Sequence, residues 1–214
     1  MNQPDFHPDF FGDDAAHSSA GTLPAAEATL PGLADAPTEL TAEGAFEKNW
    51  LQTLAHVLTE EIQELFSAEK RVAGMLPRLA QAADNSMLRI IGVAGAAQSA
   101  SHCQRLEHIQ EILGLRPDGR TCEQIENLLQ GMEETIAENS AGLTRDLALA
   151  ATARKIEQLQ VSGYCSARDF AQLLGLGPVA ELLQQTVDEE AAVAARLGLL
   201  SEILAAKTGV LEYR

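Results

Sequence analysis

The chain is short of basic residues, of cysteine and of long apolar runs, and each shortage excludes something. Lys and Arg number 15 against 31 Asp and Glu, a formal charge of -16. A nucleic-acid binder needs a basic patch for the phosphates, and an anionic membrane surface needs one too; none is visible. The acid excess favours solubility but names no partner. The three cysteines, Cys103, Cys122 and Cys165, stand far apart, with no CxxC and no even-numbered framework. They fit a reducing compartment and small buried thiols. The first residues hold acids and prolines where a signal peptide has a basic start and an apolar run. The longest apolar stretch, Ile90 to Ala97, is far below the ~18 residues of a membrane span. A cytoplasmic location is the expectation. No serine or cysteine nucleophile signature and no phosphate-binding glycine loop is discernible, and no segment alternates as a strand does.

What is present divides sharply. Residues 1–45 hold five of the eight prolines and eight acids, with no Lys or Arg. Such a segment buries too little to offset its ordering entropy, so a disordered acidic arm is expected. Gln3-Pro4-Asp5-Phe6 is followed at once by His7-Pro8-Asp9-Phe10 and then Phe11. Repeated rings in an acidic arm suggest a docking motif for a separate protein, with Phe6, Phe10 and Phe11 as anchors; chance in a biased segment is the plainer reading. Residues 46–208 have a different texture, and 209–214 form a short tail.

Apolar residues recurring every three or four positions predict long helices over 47–83, 86–113, 143–174 and 178–207, with a shorter one over 122–139. Pro77 removes one backbone donor near the end of the first. Asp84-Asn85-Ser86 caps the second, Gly114 ends it, and Gly175-Leu176-Gly177-Pro178 makes a sharp turn before the last. The short turns make two antiparallel hairpins. The crossover helix, at 1.5 Å per residue, covers about 27 Å, much of a bundle's length. Two hairpins joined by one long crossover make an all-α, ferritin-like four-helix bundle with one extra helix. Gly92, Gly95, Ala96, Ala97 and Ala100 predict a close helix approach.

Polar residues interrupt the apolar stripes at matching depth. Glu69 lies about 15 residues before the first turn, and Gln98 and His102 about 13 and 17 after it. Glu157 and Gln160 lie 19 and 16 residues before Leu176, and Glu190 14 after it. One polar layer at mid-bundle follows. Glu60, Glu61, Asp188 and Glu189 read as solvated face charges, and His56 and His108 as surface residues. A carboxylate-bridged two-metal site has this layout, with about four carboxylates and imidazoles to complete it. Neutral amides at Gln98 and Gln160 bind metals poorly and add no charge.

The stretch ELFSAEKRV from Glu64, with MLPRLAQAA from Met75, resembles the first helix of the YciE/YciF family. These are bacterial ferritin-like proteins with a suggested ferroxidase role. HCQRLE from His102, RKIEQLQVSGY from Arg154 and TVDEE from Thr186 are similar to later helices of that family, in order, over about residues 50–207. The resemblance implies a metal site, and the chain departs from it. Ala97 and Gln98 stand where the family places an acid in the second helix. Glu157-Gln158-Leu159-Gln160 replaces a glutamate–histidine–tyrosine–glutamate run, and Ala194 replaces an acid one turn after Glu190. His102, Glu69, Glu157 and Glu190 remain as candidate metal ligands. The expected protein is a divergent member with a reduced or lost metal centre and no required cofactor. Its expected role is a non-catalytic, stress-associated binding or scaffold protein, forming a homodimer. The alternative is an iron-binding, ferroxidase-like or peroxide-consuming enzyme using iron or another divalent metal at a non-standard site.

Overall fold

The computed structural model describes residues 42–116 and 119–208. Five helices account for them: α1 (Ala42–Ala82), α2 (Ser86–Ile112), α3 (Glu123–Glu138), α4 (Leu143–Leu173) and α5 (Gly177–Lys207). No strand occurs among the described residues. The arm before residue 42 and the tail after 208 lie outside them, as do Phe6, Phe10 and Phe11. Helix α1 begins four residues inside the segment read as arm. Between Pro37 and Pro77 the sequence holds no proline, so nothing in it stops the helix from starting early.

The termini follow local chemistry. The Asn85 side chain accepts hydrogen bonds from the amides of Met87 and Leu88, capping α2. Gly114 and Gly175 take positive φ (65° and 72°) just past α2 and α4, where a Cβ would be strained. Buried Asp146, in the first turn of α4, accepts from the backbone amides of Asp84 and Asn85 at 3.1 and 2.6 Å. Arg145 donates to the carbonyl of Ala82. These contacts tie the start of α4 to the α1–α2 turn. Helix α4 therefore runs parallel to α2, and α5 returns antiparallel to both.

Helix α3 lies on α1 and α4. Arg71 pairs with Glu126 through two bonds of 2.6 and 2.7 Å, and Arg78 pairs with Glu133. Both steps are seven residues in the same direction, so α3 runs parallel to α1 and carries the chain back to the first turn. Exposed pairs of this kind add little stability and here fix register. Gly92 lets α2 approach α1 closely: a Cβ there would sit 3.0 Å from Ala80 Cβ. Ala97 and Ala100, expected in the same contact, are exposed instead.

The core is in two parts. One, near the α1–α2 turn, joins Leu76, Leu79, Leu88, Leu149, Ile156 and Leu197 with Leu129 and Met132 of α3. The other, at the far end, joins Leu58, Ile62, Phe66, Ile109, Ala167 and Leu183. Between them lies a polar layer. The described part is thus all-α and ferritin-like, with its crossover helix on the outside.

Candidate functional site

The layer is built around His102, which is fully buried on α2. Its Nδ1 lies 3.0 Å from Oε1 of Glu69 on α1 and 2.9 Å from Oε1 of Glu190 on α5. Its Nε2 lies 2.8 Å from Oε2 of Glu189. Tyr164 of α4 donates its hydroxyl to Glu69 Oε1 at 2.8 Å. Arg105, one turn beyond His102, holds both oxygens of Glu189 at 3.0 and 3.2 Å. Glu157 of α4 is hydrogen-bonded to Glu190.

Four long helices thus each contribute to one network, and its protons have definite homes. Burial pulls His102 down, but hydrogen bonds and charge from Glu190 and Glu69 outweigh it and lift its pKa to about 10. It is an imidazolium at neutral pH. Burial raises Glu157 to about 11, helped by its bond to Glu190, so Glu157 is a neutral acid that donates. Burial also opposes charge on Glu190, yet His102 and the Glu157 donor hold it below the usual carboxylate range. Glu189 is held low likewise, against its partial burial, by Arg105, Gln185 and His102. Burial pushes Glu69 up in spite of His102 and Tyr164. Two cations, His102 and Arg105, therefore face two firm anions, Glu189 and Glu190.

Three of the four residues expected as ligands converge, and the fourth, Glu157, lies behind Glu190. Glu69, His102 and Glu190 each offer a ligand atom, all within 4.8 Å of one another. Glu157 joins through Glu190. Gln160 is buried, and its Nε2 has no partner. Gln98 is only half-buried and outside the network. It sits one residue from buried Ser99, about 100° around the helix from the inward face. Glu189 corrects its reading as a solvated charge: it reaches back over the helix edge to close the His102 cage. Sequence reasoning also left Arg105 unassigned. Its signal was its place three residues after His102, on the same helix face. His56 and His108 are exposed, as expected.

The donor set fits one cation better than two. Two carboxylates and one imidazole converge on the centre, with Glu157 behind Glu190, and Ala97, Gln160 and Ala194 stand where the resemblance implies the further acids of a two-ion site. Glu69 Oε2 is buried without a partner, an open acceptor. Against this, both ring nitrogens of His102 donate to carboxylates, so a metal would first have to displace a proton held with a pKa of about 10.

Comparison with known proteins agrees with this architecture. A family described as a domain of unknown function, DUF892, matches residues 53–208. Protein YciF of Escherichia coli (strain K12) is 28% identical over 148 residues, covering 69% of this chain and 89% of YciF. The crystal structure of the E. coli stress protein YciF superposes with a TM-score of 0.69 at 27% identity, covering 72% of this chain and 98% of that one. YcfI from Rhodopseudomonas palustris gives 0.66 at 24% identity, over 69% and 94% of the two chains, and shows the shared fold. By its sequence and by its five-helix bundle, the chain belongs to the DUF892 family.

Proposed function

We propose that this protein is a non-catalytic ferritin-like bundle, a stress-associated scaffold or binding protein. In its polar layer, two side-chain cations take the place of metal ions. The observation that carries this reading is the His102 cage. Clustered buried carboxylates repel unless they are neutralised. Here His102 and Arg105 neutralise Glu190 and Glu189, and Glu157 keeps its proton. The E. coli relative YciF is a stress protein, which supports the physiological side. The bundle acts by contact: through a second copy of itself, and through the acidic arm with Phe6, Phe10 and Phe11 as anchors. A cytoplasmic location belongs to the same reading.

The test is a thermal melt of the purified protein before and after exhaustive chelation, with metal analysis of both samples. An unchanged melting temperature and no stoichiometric metal are expected. A drop of about 10 °C, on the order of 3 kcal/mol at this size, would show a metal that stabilises the fold.

One observation favours a second reading, an iron-binding or ferroxidase-like enzyme. The ligand atoms of Glu69, His102 and Glu190 converge, and Glu69 Oε2 lacks a partner. That reading requires a single ion whose uptake releases the His102 proton. Occupancy would then rise with pH and vanish in His102→Ala. Unchanged stoichiometry in that variant would put any bound metal elsewhere.

A further inference from the structure

The crossover helix α3 is built more weakly than the helices it lies on. Three of its sixteen residues, Ile125, Leu129 and Met132, are buried, against eleven of thirty-one in α5. Cys122, at its N-cap, makes no side-chain cap bond. Gly131 stands near its centre, where a Cβ would meet nothing within 4 Å. Packing therefore does not call for glycine there, and glycine weakens a helix interior. The lateral ties to α1, Arg71–Glu126 and Arg78–Glu133, are exposed ion pairs that add little stability.

Two gaps in the packing lie beneath this helix. A cleft of about 200 Å³ opens under its first turn, between Leu65 of α1, Ile125 of α3 and Leu159 of α4. A void of about 10 Å³ lies under its middle, lined by Val72 and Met75 of α1, Leu129 and Met132 of α3, and Ala153 and Glu157 of α4. Side chains facing a gap have no partner atoms there, so α3 is held by fewer dispersion contacts than its length allows. Glu157 is the one polar side chain lining the void, and Leu129 and Met132 are its outer cover.

The two ends of the segment are pinned. The Arg120 amide donates to the carbonyl of Gln63 at 3.0 Å, and the Arg145 guanidinium donates to the carbonyl of Asn139 at 3.3 Å. Between them lie sixteen residues of helix, close to the length at which an isolated helix is marginal in water. Off its seat, α3 has little to keep it helical.

We propose that α3 is a gate over the polar layer. Residues 123–138 unwind from α1 and α4 as one unit, between fixed ends, while the four long helices stay folded. The opening admits solvent and small solutes to Glu157. The gate does not depend on whether the layer works as the His102 cage or holds a metal; it is the way in for either.

Thiol labelling of the full chain tests this, in a Cys103→Ala, Cys122→Ala, Cys165→Ala background. Ala153→Cys places a thiol under α3, and Ala167→Cys places one in the far core; both alanines are buried. With dithiodipyridine in excess, Ala153→Cys should react at least about tenfold faster than Ala167→Cys. Gly131→Ala should slow Ala153→Cys about fivefold. Ile62→Val, which loosens the far core, should speed Ala167→Cys about fivefold and leave Ala153→Cys unchanged. In the parent chain, hydrogen exchange read by mass spectrometry should show the α3 amides exchanging well ahead of those in α4. The proposal fails if the two thiols react at one rate, if Ile62→Val speeds both alike, or if Gly131→Ala changes nothing. It also fails if α3 and α4 exchange together.

Discussion

His102 keeps its proton because two carboxylates share Nδ1 and a third takes Nε2. That sets the sign of the pH dependence. A folded-state pKa of about 10, against 6.5 ordinarily, contributes stability that is full below about pH 6.5 and lost as pH rises through 10. Glu157, raised from 4.5 to about 11, adds a slope of the same sign, since the unfolded chain releases that proton first. The melting temperature should therefore fall steadily from pH 6.5 to 10. Glu157→Gln keeps the hydrogen-bond donor and removes the titration. It should raise stability at pH 8 by about 2 kcal/mol and flatten the decline, as read by melts across that range. A decline as steep as in the parent protein would show that Glu157 does not carry the proton. At this scale the sequence was partly legible. Counting residues from each turn placed Glu69, His102, Glu157 and Glu190 correctly. It could not resolve a 100° turn about the helix axis, which puts Gln98 outside and Ser99 inside. Nor could it foresee that Glu189, on the helix edge, would reach inward while its neighbour Asp188 stayed at the surface.

The helices themselves were far more legible, because each boundary has its own chemistry. Asn85, Gly114, Gly142 and Gly175 mark ends that fall within a residue or two of expectation. The start of α1 was missed because low overall apolarity hid a proline-free, helix-compatible segment. What joins the hairpins was not legible either. Asp146 looks in sequence like an ordinary acid in a first helical turn, favourable to the helix dipole. Its actual partners are two amides of a turn more than sixty residues away in sequence. Asp146→Ala removes the acceptor of both amides at a partly buried junction. The expected cost is about 3 kcal/mol, a melting-temperature loss of roughly 6–12 °C. Asp146→Asn retains one acceptor and should lose less. Equal melting temperatures for Asp146→Ala and the parent would show that the turn is held without it.

On the whole molecule, the outer surface is unevenly finished. Met87, Ile90 and Val93 on α2 are 53–63% exposed, and on neighbouring α5 so are Leu199 and Ile203, at 62% and 55%. Ile90 lies 12 residues before His102 and Ile203 13 after Glu190, and those two polar residues touch. The two apolar stripes therefore sit at the same depth, near the α1–α2 turn. Exposed apolar residues on two neighbouring helices at one depth suit association, and a closed two-fold pairing covers them without leaving a sticky end. The homodimer expected from the sequence would use this wall. A charge of -16 on each chain opposes such pairing at long range, and salt screens that repulsion while leaving apolar burial intact. Light scattering should accordingly find a dimer whose dissociation constant falls as salt is raised from low to physiological strength. Ile90→Asp places a desolvated charge in the pairing face of both copies and should give a monomer with an unchanged circular dichroism spectrum. The exposed Leu173→Asp, at the far end of α4, should leave the dimer intact. A parent protein that stays monomeric at every concentration, or an Ile90→Asp variant that still pairs, would move the association surface elsewhere or remove it.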